Sequence, residues 1–216
     1  MRTKNILTIT LIGVLSFLAI PLMAQEIDKT EITKSINNEV LHSKIVRIIA
    51  ETNIIEEKCD NILISVENND LQSLATNLAN INVEEFYSER HCMDIIPALL
   101  EQTKEGKNMI QATQLFINKF GHPDNLIVSY MLFGGSFHQM TLLANWATSE
   151  YLAKNKNTTK TLIDFAEFLI EKGANINEEF EEIPGEKTTI KDFIYEYGTD
   201  DAIKLIKKVE KQQQKK

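Results

Sequence analysis

Phe165-Ala-Glu-Phe-Leu-Ile-Glu-Lys-Gly-Ala-Asn-Ile-Asn177 is the stretch from which the rest of the chain is read. Phe165, Ala166, Phe168 and Leu169 fall on one stripe at helical spacing, and Glu171-Lys172 place a charged last turn in water. Gly173 stands where a helix ends in a left-handed residue, a conformation open to glycine because it has no Cβ. Ala174-Asn-Ile-Asn177 turns the chain away, and the acidic run Asn177-Glu-Glu-Phe-Glu-Glu182 enters a hairpin. The local order is helix, glycine stop, hairpin.

That order recurs on both sides. Asn61-Ile-Leu-Ile-Ser-Val66 predicts a helix and Glu67-Asn-Asn-Asp70 a tight turn, with Asn69 at its left-handed position. Leu71 to Leu78 predicts a second helix, and Ala79-Asn-Ile-Asn82, identical to Ala174–Asn177, an extended exit. A second unit runs from Cys92 through Ile95, Ile96, Leu99 and Leu100, turns near Gly106, and continues as a helix with Met109, Ile110, Ala112, Leu115, Phe116 and Ile117. Gly121-His-Pro-Asp-Asn125 ends it, glycine at the stop and proline just after. Leu126 to Phe133 is apolar without a clear period; a short helix before a hairpin is the preferred reading, and a buried strand stays open. Gly134-Gly135 breaks it. A third unit opens at Thr141-Leu-Leu-Ala-Asn-Trp-Ala147, with a polar surface excursion from Ser149 to Thr161 between its helices. A fourth is Thr188 to Gly198 followed by Ala202 to Ile206.

The pattern resembles the ankyrin repeat, whose units open on Thr-Pro-Leu-His-x-Ala. Thr141, Leu143 and Ala147 hold the family's Thr, Leu and Ala positions, and Thr188-Thr-Ile190 keeps the frame with Pro and His both replaced. The resemblance covers about residues 59 to 207 in four degenerate units. It implies an all-α fold: a short ankyrin-like helical solenoid of about four irregular helix pairs, with little or no regular sheet. In front of it, Ile32, Ile36, Val40, Leu41, Ile45, Ile48 and Ile49 predict one amphipathic helix between Gln25 and Asn53, capping an end that no neighbouring repeat covers. The expected divisions are 1–24, a capping helix in 25–58, the repeats in 59–207 and a polar tail in 208–216.

Residues 1–24 carry Arg2 and Lys4, an apolar run from Ile6 to Leu22, and small Ala24 before Gln25. We read a secretory signal peptide cleaved after Ala24; the alternative is an uncleaved anchor. Cleavage removes two cations and no acid, so the formal charge goes from −8 to −10. An acidic chain without a basic, aromatic-laced patch excludes nucleic acid as a partner. No cysteine at the cleavage point invites lipid attachment. The expected location is the periplasm or the medium, with the membrane touched only through the signal peptide before its removal.

His42, His91, His122 and His138 have no companion at metal-ligand spacing, so no metal or cofactor is expected. His91 and Cys92 are adjacent and point apart in helix or strand, which denies them the geometry of a base and nucleophile. The expectation is therefore not an enzyme. Cys59 and Cys92 are 33 residues apart, the ankyrin period. An oxidising compartment favours a bond between them. Equivalent positions of stacked repeats lie roughly 8–10 Å apart, beyond the roughly 4.4–6.8 Å of a disulfide, so both outcomes stay open. Asn157-Thr-Thr159 is a sequon on a surface excursion.

In ankyrin-like stacks the hairpin tips and first helices form the binding surface, which here means Asn82–Arg90, Phe137–Met140 and Glu178–Thr188. Phe86, Tyr87, Arg90, Phe137, His138, Glu179 and Phe180 are the candidate contacts for another protein, since aromatics and arginine dominate hot spots. Phe180 ringed by Glu178, Glu179, Glu181 and Glu182 suits a partner with a basic surface. The expected function is protein–protein interaction; the alternative is a small exported hydrolase or toxin with an atypical helical fold, resting on the Glu178–Glu182 carboxylates and the His91 region.

Overall fold

In the computed structural model, which describes residues 39–131, 137–149, 156–183 and 185–214, the helix carrying the opening stretch spans Lys156–Glu171 and stops where its sequence dictates. Ala174 N–H donates to Leu169 O and Gly173 N–H to Ile170 O, both at 3.0 Å, with Gly173 at φ 109°. This is a Schellman ending, which satisfies carbonyls a helix otherwise leaves bare. The same pair of bonds closes a helix at Asn69, whose φ of 52° makes it the one described non-glycine residue in the left-handed region.

The elements follow in order: α1 (Glu39–Glu67), α2 (Leu71–Ala79), α3 (Val83–Ser88), α4 (Arg90–Met93), α5 (Ile95–Lys104), α6 (Ile110–Phe120), β1 (Ile127–Met131), β2 (Phe137–Thr141), α7 (Leu142–Ala147), α8 (Lys156–Glu171), β3 (Glu179–Ile183), β4 (Glu186–Thr189), α9 (Ile190–Tyr197) and α10 (Asp200–Gln213). The chain falls into two compact units, Met1–Ala50 and Glu51–Lys216. Of the first, residues 39–50 are described and all are helical. In the second, α5 packs on α7 and α7 on α9, while α10 lies on α8 and α6 on α2. Between these rows the core holds Trp146, Leu99, Leu142, Phe165, Leu169, Ile194 and Ile206, all at most 1% exposed. At about 25 cal/mol per Å² of apolar surface withdrawn from water, such burial is the main source of stability.

The protein is thus mostly helical, as expected, and its regular sheet among the described residues is confined to two small antiparallel two-stranded hairpins, β1–β2 and β3–β4. Tyr130 pairs with His138 and Ile127 with Thr141, and the residues of β1 that the sequence left undecided are a strand. Leu126 and Val128 are buried there.

Four expectations change. The front helix does not stop at Asn53; α1 runs unbroken through the expected boundary at 58 to Glu67, since nothing between Thr52 and Lys58 breaks a helix. The exit at Ala79–Asn82 is not extended into a hairpin, because Asn82 caps α3. The surface excursion is shorter than read, since α8 begins at Lys156. Residues 208–213 belong to α10, with Val209 buried, so no tail begins at 208. The export segment, residues 25–38 of the front helix and Gly134-Gly135 lie outside the described residues.

Cys59 of α1 and Cys92 of α4 form a disulfide with Cα atoms 5.0 Å apart. The pair does not occupy equivalent positions of two stacked repeats, which is why the distance argument against bonding does not apply: Cys59 lies in the last third of a long helix and Cys92 in a four-residue one.

Candidate functional site

Two hairpins stand side by side and are tied to each other through side chains. Each ends in a threonine that caps the next helix. Thr141 Oγ1 accepts from Ala144 N–H at 3.3 Å to open α7, and Thr189 Oγ1 accepts from Asp192 N–H at 3.2 Å to open α9. A hydroxyl in this role satisfies a backbone donor the first helical turn leaves unpaired. Thr141 also has a proton to give, and donates it to Glu178 Oε2 at 2.7 Å, reaching from the first hairpin to the foot of the second.

Higher up, Tyr130 donates its hydroxyl proton to the Glu181 carbonyl. His138 Nδ1 lies 3.0 Å from Glu181 Oε2, and the Tyr130 and His138 rings sit 6.0 Å apart. One residue of β3 is therefore held through its backbone by β1 and through its carboxylate by β2. Glu181 Oε1 also accepts from Gly185 N–H at 2.5 Å, fastening the turn at the tip.

At the base, Asp124 Oδ1 accepts from Asn175 N–H at 3.3 Å and Asp124 N–H donates to His122 Nδ1 at 3.2 Å. Burial raises the Glu178 carboxyl above its ordinary range and the Asp124 charge adds to this, while the Thr141 hydrogen bond opposes it. Glu179 is exposed, with Lys187 Nζ 3.9 Å from its carboxylate. The hairpin surface offers an acidic, hydrogen-bonding face on a frame locked at three levels.

The candidate contacts separate on this geometry. His138 and Glu179 belong to the hairpin face. Phe180 does not: it is 4% exposed and meets Phe193 edge-on at 5.5 Å, because strand alternation that turns Glu179 outward turns Phe180 inward. Phe86 is fully buried, 4.9 Å from Phe120 and 6.3 Å from Phe116. Neither ring can be a surface contact, and both assignments are corrected to core. The segment from Asn82 to Arg90, placed by the sequence on a surface of hairpin tips and first helices, is α3 and the start of α4 and contains no hairpin. Tyr87 is half-buried against Phe120 at 5.3 Å and donates to Asn125 O, with burial pushing its hydroxyl pKa up to about 12. Arg90 begins α4 and Phe137 begins β2; their side chains lie outside the described residues.

Tyr130 and Thr141, which tie the hairpins, were missed as site residues. Thr141 was legible as a helix opener; Tyr130 lay inside an apolar run with nothing to distinguish it. Among the described residues, no three His, Cys, Asp or Glu side chains gather as metal ligands would, and no helix is long and apolar enough to cross a membrane.

Compared with protein-family models, with curated proteins and with solved structures, the chain matches none of them.

Proposed function

We propose that this is an exported binding module built as a short ankyrin-like solenoid, which docks another protein on its hairpin face and carries out no chemistry of its own. One observation carries the reading. β1–β2, Thr141, α7 and α8 repeat as β3–β4, Thr189, α9 and α10: hairpin, threonine cap, short helix, longer helix, with first helix stacked on first and second on second. Repetition of one unit with a lateral hairpin is how such solenoids make an extended surface. The order of the first two helix pairs supports the frame without its hairpins.

Two features support export to the periplasm or medium: the signal-like residues 1–24, and a disulfide, which persists in oxidising compartments. The hairpin face carries Glu179 and Glu186 in the open, so the partner is expected to bring basic residues.

Affinity capture from the exported fraction of the native host, comparing wild type with Glu179→Lys/Glu186→Lys, tests this. One protein retained by wild type and lost by the variant, with unchanged circular dichroism, is the expected result. Equal retention would move the contact off the hairpins. N-terminal sequencing of the same material should begin at Gln25; Met1 on membrane-bound protein would replace export with anchoring.

A further inference from the structure

The outward side of α10 carries charge of one sign. Lys204, Lys207, Lys208 and Lys211 are spaced i, i+3, i+4 and i+7, which sets them on one helix face over about 10 Å, at about 1.5 Å per residue. All four are exposed, while Ala202, Leu205, Ile206 and Val209 bury the opposite side. Together with Gln212 the four lysines line one open hollow of about 470 Å³. Between Lys204 and Gln214 the one acid is Glu210, whose carboxylate accepts from the Tyr195 hydroxyl at 2.5 Å. Lys204 pairs with Asp201 at 2.8 Å and Lys208 with Glu167. Lys207 and Lys211 have no carboxylate partner among the described residues.

An outward helix needs polarity to stay in water, but not a single sign. α8, packed against α10, meets that need with both signs, showing Lys160, Asp164 and Glu171 to solvent. In a chain of formal charge −8 the lysine row of α10 is a local reversal.

We propose that this lysine face docks an anionic lipid bilayer, resting against the phosphates of its head groups. The chemistry of the face selects that occupant. It holds no arginine, so it lacks the rigid fork that grips one fixed carboxylate or phosphate. No aromatic ring stands on it for a nucleobase to stack on. Its aliphatic neighbours Leu205, Ile206 and Val209 are buried, so it also lacks the anchors that carry binding energy between proteins. What remains is a row of long, rotatable point charges, suited to a plane of diffuse negative charge. Each unpaired lysine near such a surface multiplies partitioning about fivefold. The attraction acts within a Debye length of about 10 Å at 0.1 M salt, and acids lying farther from the bilayer than that are screened.

Co-sedimentation of the full mature chain with phosphatidylglycerol-containing vesicles, against pure phosphatidylcholine vesicles, tests the assignment. The expected result is binding to the anionic vesicles alone, abolished when salt rises from about 0.1 M to about 1 M. Lys207→Gln/Lys211→Gln should weaken it at least tenfold with unchanged circular dichroism. Lys107→Gln/Lys119→Gln makes the same change in net charge elsewhere on the chain and should leave binding within twofold of wild type. No binding to anionic vesicles, or equal binding to both kinds, would overturn the proposal. So would equal losses in the two double variants, which would make net charge and not the α10 face responsible. Retention of the chain on immobilised polyglutamate without binding to vesicles would give the face to an acidic protein instead, and overturn it as well.

Discussion

Breaking the Cys59–Cys92 bond should cost the fold a large and calculable amount. The bond closes a loop of sequence separation 33, and the chain-entropy model assigns a loop of that size about 3.5–4 kcal/mol of unfolded-state restriction. For a protein of this length, with about 2–4 °C of melting temperature per kcal/mol, the expected drop is roughly 7–15 °C. Both cysteines are at most 1% exposed, so alanine at either site also leaves a small cavity of order 1 kcal/mol.

The two contributions separate in a cycle of Cys59→Ala, Cys92→Ala and the double variant, melted by far-ultraviolet circular dichroism. Either single change already removes the bond. The double variant should therefore lie within about 1 kcal/mol of each single one. A double cost close to the sum of the singles would show two independent buried thiols and refute the bond, as would single variants that melt within a degree or two of wild type.

Phe180→Ala should destabilise by about 3–5 kcal/mol, because its ring packs on Phe193 inside the fold; a melting temperature unchanged by the substitution would return Phe180 to the surface. Glu178 gives a pH signature. Its folded-state carboxyl is raised above the unfolded value of 4.5, so its stabilising contribution is whole below that value and is lost as pH rises through the folded pKa. Glu178→Gln, which still accepts from Thr141, should therefore gain melting temperature relative to wild type between pH 4 and neutrality; a difference constant with pH would refute this. Asn69 at φ 52° should tolerate glycine within about 0.5 kcal/mol and lose about 1 kcal/mol on Asn69→Ala, measured by urea unfolding.

The helix ends were legible because they are local. Gly173, Gly121, Gly106 and Asn69 all take positive φ, and each sits at the close of a helix. The threonine starts were legible for the same reason. β1 was not: Leu126 to Phe133 is apolar on consecutive positions, and with no alternation on display period alone cannot separate a strand from a helix. The site was less legible than the fold. His138 and Glu179 lie on the hairpins as expected from their positions, but sequence alone set Phe86 and Phe180 on the surface because aromatics are common both at hot spots and in cores.

The two copies of Ala-Asn-Ile-Asn show how far identical letters go. Both follow a helix and both bury their isoleucine, Ile81 and Ile176 each at 1%, yet the first starts a helix and the second a hairpin. The difference lies three residues past the last asparagine. Asn82 has Glu85 at that position, whose carboxylate accepts from Asn82 N–H at 3.0 Å while Asn82 Oδ1 accepts from Glu85 N–H at 2.7 Å, a complete capping box. Asn177 has Phe180 there, which can close no box and gains more by burial against Phe193 as the inward residue of a strand. Phe180→Glu would supply the missing carboxylate and remove that burial at one stroke. It should therefore raise helical propensity after Asn177 in a peptide spanning 174–186 while unfolding the hairpin in the protein. Residue 180 decides both.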